Sequence, residues 1–487
     1  MLFNSIEFLI FFFTVFVLYW FIINKSLKLQ NILLLFASYF FYANWNWKFL
    51  FLLAFSTFLD YYTGLKIENS GSKRGKRTWL WISVAINLGF LGFFKYFNFF
   101  IESFAELLQS IGFQPHMSTL SIILPVGISF YTFHGLSYIF DIYNGKIKPT
   151  RNFVNYSLFV SFFPLLVAGP IERATHLLPQ VEKPRKFNYN QAVDGLKQIL
   201  WGLFKKIVIA DGCAEYVNLI FDNPSAYSGP ILIIGAVFFA FQIYGDFSGY
   251  TDIALGISRL LGFELLRNFS YPYFSRDIAE FWRRWHISLS SWFRDYLYIP
   301  LGGSRTGIWK KIRNTFIIFI VSGFWHGANW TFIAWGFLNA LYIMPLIIFS
   351  KNRDHLAIVA ENRSLPSFRE FISMAVTFML TTFAWIFFRA ESISAACSYI
   401  RSIWKGIPDI HGYAAAAGFL YWNVGFTLPF LICFFFFIEW MGRRDKYALE
   451  SIGNTWPRWS RWTFYYLLIA SCIIYIDKGQ NFIYFQF

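Results

Sequence analysis

Long apolar runs separated by short polar loops constrain this chain more than any other feature of its sequence. Most are close to the roughly 20 residues that a helix needs to cross the hydrocarbon core of a bilayer. The runs cover residues 6–23, 29–43, 48–65, 78–100, 120–143, 153–169, 195–221, 230–257, 314–350, 371–388, 417–441 and 462–476. Because they are continuously apolar rather than alternating, they favour helices over a barrel. The sequence therefore predicts an all-α polytopic membrane protein with about 11–13 membrane segments, some of them re-entrant.

The composition agrees with a membrane protein. Hydrophobic residues make up 56% of the chain and the mean hydropathy is +0.45, which is more than a soluble core requires. No loop is long enough to hold a separate soluble domain, so we expect one membrane domain over 1–487. Within it we expect N-terminal spans in 1–119, a core with the polar motifs in 120–345, and C-terminal spans with an aromatic tail in 346–487.

The net charge of +15 does not indicate a nucleic-acid partner, because the basic residues fall in short loops between apolar runs. Clusters at 25–28, 66–77, 146–151 and 310–313 are expected to mark cytoplasmic loops. The acidic stretch at 102–106 would then face the opposite compartment, and so would the N-terminus. The four cysteines lack CxxC spacing, so no metal site is predicted.

Charges crowd among aromatic residues in segment 276–303, which is too polar for an ordinary span. Arginine offers a planar and permanently charged group that can bind phosphates. Three arginines of this segment are candidates for that role: Arg283, Arg284 and Arg294. The alternative interpretation is an interfacial helix with aromatic anchors and arginines that extend to the membrane surface.

A histidine stands near the middle of a later apolar run, in the motif Trp325-His326-Gly327. The nearest basic residues in the sequence are Arg313 and Lys351. A histidine at membrane depth is costly unless it relays protons, binds a ligand or does chemistry. Its ordinary pKa of about 6.5 suits proton transfer at neutral pH. The alternative is a neutral imidazole that forms a hydrogen bond with a neighbouring helix.

Carboxylates, tyrosines and glycines interrupt the run at 242–252, where a continuous helix is not expected. Broken helices at membrane depth line protein-buried cavities, so this segment is predicted to border the same chamber as His326. Hydrogen bonding between helices is the alternative for its carboxylates. His134 is a further candidate for substrate contact or for a structural hydrogen bond. The predicted wall residues are Tyr244, Asp246, Ser248, Asp252, Trp325, Asn329 and His134.

Several motifs occur in a characteristic order along the chain. They are the sequence LPVGISFYTF at 124–133, FFP at 162–164 followed by GPI at 169–171, the segment 244–254, the block 281–303 and Trp325-His326-Gly327. Together they resemble the membrane-bound O-acyltransferases, in particular the bacterial branch with the alginate O-acetyltransferase membrane subunit. The resemblance implies a helical bundle around a central tunnel, with residues 120–345 as the catalytic core.

The resemblance also implies an acyl transfer, with His326 as the catalytic base and His286 as the second catalytic position. Acetyl-CoA would be the donor, without any permanently bound cofactor. Asp246 would fix an imidazole tautomer. The phosphates of the donor would be bound at the cytoplasmic mouth of the tunnel by Arg283, Arg284, Arg294, Lys310 and Arg313.

The acceptor implied by the resemblance is a cell-envelope polysaccharide such as alginate or peptidoglycan, reached through a periplasmic acetyltransferase partner. The protein would then lie in the bacterial inner membrane with a periplasmic N-terminus. The aromatic tail at 482–487 would reach the partner, plug the tunnel or lie in an interfacial belt. Two alternatives stay open, a teichoic acid D-alanyl transferase and a proton-coupled transporter or flippase, although no repeated pair of interrupted segments supports a transporter.

Overall fold

The computed structural model describes residues 1–113, 119–167, 169–305, 307–476, 479–480 and 482–483. These residues form helices and connecting loops without any β-strand, and 74% of the structure is helical. The predicted all-α polytopic membrane protein is therefore confirmed. The chain divides into two compact units, one formed by Met1–Ala192 with Ile257–Leu266 and one by Val193–Gly256 with Arg267–Phe487. The domain boundaries expected from the sequence stay predictions.

The first unit consists of nine helices among its described residues. They are α1 (Ile6–Val17), α2 (Leu27–Asn46), α3 (Lys48–Asn69), α4 (Lys73–Leu91), α5 (Phe97–Ser110), α6 (Ile128–Tyr143), α7 (Phe153–Ser161), α8 (Phe163–Leu166) and α9 (Ala174–Val181). Short π-helical segments, Leu18–Ile22 and Gly92–Tyr96, extend α1 and α4. Helices α3 and α4 share a buried carboxylate, Asp60, whose Oδ1 accepts hydrogen bonds from Ser83 and Asn87 at 2.6 and 2.8 Å.

The second unit contains most of α10 and α12 and all the later helices. They are α10 (Tyr189–Leu203), α11 (Asp211–Asp222), α12 (Gly229–Leu260), α13 (Ile278–Arg284), α14 (Ile287–Phe293), α15 (Ile308–His326), α16 (Trp330–Ile348), α17 (Phe368–Arg389), α18 (Ile393–Gly406), α19 (Ile410–Phe419), α20 (Thr427–Met441) and α21 (Arg458–Tyr475). The π-helical segments Phe204–Ala210, Arg294–Tyr298 and Leu420–Val424 follow α10, α14 and α19. Aromatic and aliphatic side chains fill the core of this unit.

Four helical stretches are long and apolar enough to cross a membrane, by length and composition among the described residues. They are Lys73–Ser110, Gly229–Leu260, Trp330–Ile348 and Phe368–Arg389. A further pair, Ile410–Val424 with Thr427–Met441, is bent by 91° and forms either a broken span or a re-entrant loop. A multi-pass membrane protein follows, whereas the count of about 11–13 segments stays a prediction.

Helix α12 runs without interruption through 242–252, where the sequence led us to expect a broken helix. That expectation was wrong because the glycines of this segment allow close packing instead of a break. A Cβ atom on Gly249 would lie 2.7 Å from the carbonyl oxygen of Gly202 in α10. One on Gly245 would lie 2.9 Å from the carbonyl oxygen of Lys205. Small residues of this kind let helix backbones approach closely inside a membrane.

Helices α15 and α16 form a hairpin whose backbones touch at two glycines. A Cβ atom on Gly323 would lie 2.2 Å from the carbonyl oxygen of Phe332. One on Gly336 would lie equally close, at 2.2 Å, to the carbonyl oxygen of Phe319. This packing fixes the end of α15, where His326 lies.

We expect Gly336→Ala to destabilise the protein, because the added methyl group would force α15 and α16 apart. Overpacking of this kind costs about 1–3 kcal/mol. Thermal unfolding of the purified protein in detergent measures the effect. Gly89→Ala is the matched control, since a Cβ atom on Gly89 in α4 would meet nothing within 4 Å. Equal melting temperatures for the two variants would contradict the account of the hairpin.

Candidate active site

The second unit encloses a cavity of ≈ 490 Å³ that is bordered by both predicted catalytic histidines, His286 and His326. Its walls come from α13 to α16, the segment after α14 and the loop after α16. The two histidines are 1% and 5% exposed, whereas Arg294 and Arg353 at the other end are exposed. The cavity therefore runs from a cationic opening to a buried histidine pair.

One face of α15 forms a continuous wall of this cavity. Its members recur every three or four residues, which is the spacing of a single helix face. They are Lys311, Thr315, Ile318, Phe319, Ser322 and His326. His326 follows Lys311 by 15 residues in the sequence, and at 1.5 Å per residue the wall is about 22 Å long.

His286 has an unusual backbone conformation at the junction of α13 and α14. Its φ of 44° lies in the left-handed region, which non-glycine residues adopt rarely and which occurs at sites where the surroundings hold it in place. Nδ1 of His286 is 3.3 Å from Oδ1 of Asn268, and the Ser288 hydroxyl donates to the same oxygen. The ring also packs edge-on against Phe247 at 4.7 Å. Asn268 and Phe247 thus fix the orientation of the imidazole.

Burial lowers the pKa of His286 to about 3, so its imidazole is neutral at cellular pH. The residue lies between two helices of seven residues each, which are too short to span a membrane. Nε2 of His286 has no hydrogen-bond partner among the residues that the structure describes. A neutral imidazole with one nitrogen held by Asn268 and the other without a partner can interact with a bound ligand.

Aromatic rings enclose His326 at the inner end of the cavity. Its ring centroid lies 4.8 Å from that of Trp325, 5.1 Å from that of Trp335 and 5.2 Å from that of Phe388. Trp325 also lies 6.0 Å from the ring of His286, so it contacts both histidines. These rings make the surroundings of His326 apolar, which suits chemistry that must exclude water.

Two of the arginines that the sequence offers for phosphate binding are engaged with protein atoms. Arg284 is buried and donates to Oε1 of Glu280 at 3.1 and 2.9 Å. Arg283 donates to the carbonyl oxygens of Asn352 and His355 at 2.9 and 2.8 Å. Both residues therefore stabilise the protein around the cavity, and only Arg283 also borders it.

The other predicted cations divide between the cavity and the surface. Arg294 borders the cavity, is 62% exposed and pairs with Asp295 at 2.8 Å. Lys310 and Arg313 are exposed and are not among the lining residues. Two cations that the sequence analysis missed, Lys311 and Arg353, do border the cavity. The helical spacing from His326 would have favoured Lys311 over its neighbours.

The polar residues predicted in α12 are not among the residues that line this cavity. Two of them pair with buried lysines of the π-helical segment Phe204–Ala210: Asp246 lies 2.8 Å from Lys206 and Asp252 lies 2.5 Å from Lys205. Tyr244 donates to Glu439 at 2.6 Å. Ser248 is buried without a hydrogen-bond partner for its hydroxyl within the described part of the chain. Asn268, rather than Asp246, holds the imidazole of His286.

The remaining predicted wall residues have defined positions. Trp325 lies between the two histidines, and Asn329 caps the start of α16 and donates to the carbonyl oxygen of Glu391 at 2.8 Å. His134 belongs to the first unit, where its Nε2 accepts a hydrogen bond from the backbone N–H of Glu172 at 3.1 Å. The chain end at 484–487 lies outside the described residues.

The carboxylate of Glu280 is a buried partner for two arginines beside the cavity. It is 1% exposed and pairs with both Arg276 and Arg284, at 3.0 and 2.9 Å. The backbone N–H of Arg276 also donates to it at 2.7 Å.

Among the described residues, no three His, Cys, Asp or Glu side chains are grouped closely enough to hold a metal ion.

We expect Glu280→Ala to destabilise the protein strongly, because it leaves Arg284 buried without its counter-charge. Breaking a buried pair in this way costs about 3–5 kcal/mol. Thermal unfolding in detergent measures the loss. The control is Asp222→Ala, which breaks an ion pair to Arg389 in which Asp222 is 63% exposed and should cost less than about 1 kcal/mol. Equal losses in the two variants would refute the structural role of Glu280.

Comparison with known proteins identifies the family of this chain. Residues 40–388 match the profile of the MBOAT, membrane-bound O-acyltransferase family. A probable alginate O-acetylase from Pseudomonas aeruginosa is 39% identical over 81% of this chain and 73% of its own length. A peptidoglycan O-acetyltransferase from Helicobacter pylori is 36% identical over 85% and 80%. A less similar teichoic acid D-alanyltransferase from Bacillus subtilis is 29% identical over 57% and 72%. The resemblance seen in the motifs is confirmed, and the chain belongs to the membrane-bound O-acyltransferase family.

Proposed function

We propose that this O-acyltransferase moves an acetyl group from a thioester donor toward a hydroxyl of a cell-envelope polysaccharide. The observation that carries the proposal is the placement of two buried histidines, His286 and His326, on one cavity with Trp325 in contact with both rings. Relatives named for alginate and peptidoglycan O-acetylation support acetyl as the group and a polysaccharide as the final acceptor.

In the proposed reaction His326 is the general base. It takes the proton of the acceptor hydroxyl while the hydroxyl oxygen attacks the thioester carbonyl. The tetrahedral intermediate then collapses, the carbon–sulfur bond breaks and the sulfur leaves as a thiolate. Protonated His326 returns the proton to this thiolate, so the products are an ester and a free thiol. The rings of Trp335 and Phe388 beside His326 would protect the thioester from hydrolysis.

His286 has a different part in this proposal. Because Asn268 presents Oδ1 to Nδ1, the favoured neutral tautomer carries its hydrogen on Nδ1 and leaves Nε2 as an acceptor. An acceptor cannot stabilise the developing oxyanion. We therefore propose that His286 orients an N–H or O–H group of a substrate toward His326.

The donor we propose is cytoplasmic acetyl-CoA, which the cationic opening of the cavity would attract through its phosphates. The hydroxyl that takes the acetyl group at His326 would be presented from the opposite side of a bacterial inner membrane. A periplasmic transferase would then pass the acetyl group from the resulting ester to the polysaccharide. The N-terminus would lie on the periplasmic side. The basic loops between the apolar runs support this orientation.

D-Alanyl transfer to teichoic acid is the second candidate, because a relative carries that name. The identity to that relative is lower than to the O-acetylating relatives, and it covers only 57% of this chain. Reconstituted protein that consumes a D-alanyl carrier and leaves acetyl-CoA untouched would reverse our choice.

We expect His326→Ala to lose about 10²–10⁴-fold in transfer rate, because the reaction loses its general base. The measurement is transfer of labelled acetyl from acetyl-CoA by protein reconstituted in vesicles, with a polysaccharide oligomer and membrane extract as acceptor. His286→Ala should also lower the rate, since the substrate is then held less well.

The matched control is His411→Ala, which removes an exposed histidine that does not border the cavity. It should transfer acetyl at the parent rate. Parent-like transfer by His326→Ala would refute the proposed base, and a parent protein that transfers neither acetyl nor D-alanyl would refute the proposed function.

A further inference from the structure

A groove runs along one face of α4. It belongs to the first unit, whereas the candidate active site belongs to the second. Its volume is ≈ 560 Å³, and the described residues that border it are Arg74, Arg77, Thr78, Trp81, Ile82 and Ala85. They form two neighbouring rows at intervals of four residues, 74–78–82 and 77–81–85, and ridges of this kind on a helix enclose a groove. At 1.5 Å per residue the groove is about 16 Å long.

One end of this groove is cationic and the rest is apolar. Arg74 and Arg77 are exposed, and neither guanidinium has a hydrogen bond or an ion pair with another residue that the structure describes. Thr78 donates its hydroxyl to the carbonyl oxygen of Arg74 at 3.1 Å, so its own helix satisfies it. Trp81, which is 55% exposed, and Ala85 continue the groove away from the arginines.

The neighbouring cations do not border the groove. Lys73 and Lys76 lie in the first turns of α4 but outside both rows. Lys66 of α3 lies over two aromatic rings, with Nζ 5.2 Å from the centroid of Tyr62 and 6.0 Å from that of Trp79. A basic loop at a membrane surface explains an excess of cations. It does not explain why the two arginines, and not the lysines, stand at the head of an apolar groove.

The length of the groove matches one leaflet of a bilayer. Helix α4 begins Lys73–Ser110, one of the stretches that are long and apolar enough to cross a membrane. The hydrocarbon core is about 30 Å thick, so one leaflet contributes about 15 Å. Tryptophan is enriched where headgroups meet acyl chains, and Trp81 lies one turn after Arg77. The groove therefore extends from the level of the headgroups to the middle of the membrane.

We propose that this groove binds an anionic phospholipid, with the phosphate between Arg74 and Arg77 and one acyl chain along Trp81, Ile82 and Ala85. A guanidinium donates two parallel hydrogen bonds to a phosphate, which suits arginine better than lysine. None of the described residues that border the groove is a carboxylate that could receive the ammonium group of a zwitterionic lipid. The proposal is independent of the proposed function.

The first test measures lipid binding by the purified full-length protein in detergent with native mass spectrometry. Phosphatidylglycerol should bind more tightly than phosphatidylcholine with the same acyl chains. Arg74→Ala/Arg77→Ala should weaken the binding of phosphatidylglycerol about 30-fold, which is about fivefold for each cation near an anionic headgroup. Equal binding of the two lipids by the parent would overturn the proposal.

The matched control is Lys25→Ala/Lys28→Ala, which removes two exposed cations from another basic loop. This variant has lost the same charge, and it should bind phosphatidylglycerol as the parent does. An equal loss in the two double variants would show that net charge, and not the groove, attracts the lipid, and would overturn the proposal.

The second test blocks the apolar part of the groove and leaves its charge unchanged. Ala85→Leu should bind phosphatidylglycerol less tightly than the parent, because the added side chain occupies the space of the acyl chain. Gly89→Leu is the control, since it adds a leucine one turn later, where a Cβ atom would meet nothing within 4 Å. Parent-like binding by Ala85→Leu would overturn the placement of the acyl chain.

The third test uses stability as the readout. A ligand that binds only the folded protein raises its melting temperature. Phosphatidylglycerol should therefore raise the melting temperature of the parent, and this rise should be lost in Arg74→Ala/Arg77→Ala. Without lipid the variant should melt with the parent, because both arginines are exposed. A rise of the same size in parent and variant would contradict binding at the arginines.

Discussion

A buried polar group inside an apolar bundle must find a partner, and this requirement organises the structure around the cavity. Glu280 is the charged partner of both Arg276 and Arg284, and each arginine also donates to a backbone carbonyl. Lys205 and Lys206 pair with carboxylates of α12. Such pairs contribute little net stability relative to apolar packing, but removing one partner is costly. They therefore fix where the helices and the loop after α16 lie.

The same requirement distinguishes the groups that serve the fold from those available to a ligand. Arg283 and Arg284 satisfy carbonyl and carboxylate oxygens, whereas Lys311 and Arg353 face the cavity without such partners among the described residues. At the other end Nε2 of His286 is buried without a partner in the same described set. The cavity thus has a cationic end and a histidine end, joined by one face of α15. These two ends match a thioester donor that carries phosphates at one end and its reactive carbonyl at the other.

The long apolar runs predicted the helical class and the membrane setting, because few other structures explain them. His326 was singled out by its position within an apolar run, and His286 only by the family resemblance. The sequence failed at α12, since glycines that permit close packing look the same in sequence as glycines that break a helix. It also could not show which oxygens the arginines bind. The carbonyls that hold Arg283 lie about 70 positions later, at Asn352 and His355, and only the fold brings them together. The choice of Lys311 over Lys310 could have been made from helical spacing alone.

The central claim is that the cavity bordered by His286 and His326 holds the thioester donor with its reactive carbon at His326. The most direct measurement is an electron cryomicroscopy structure of the protein in lipid nanodiscs with a non-hydrolysable acetyl-CoA analogue. We expect density for the donor inside this cavity, with the carbonyl carbon beside His326. Density for the donor along Tyr244, Asp246 and Asp252 of α12, with the cavity empty, would contradict the account.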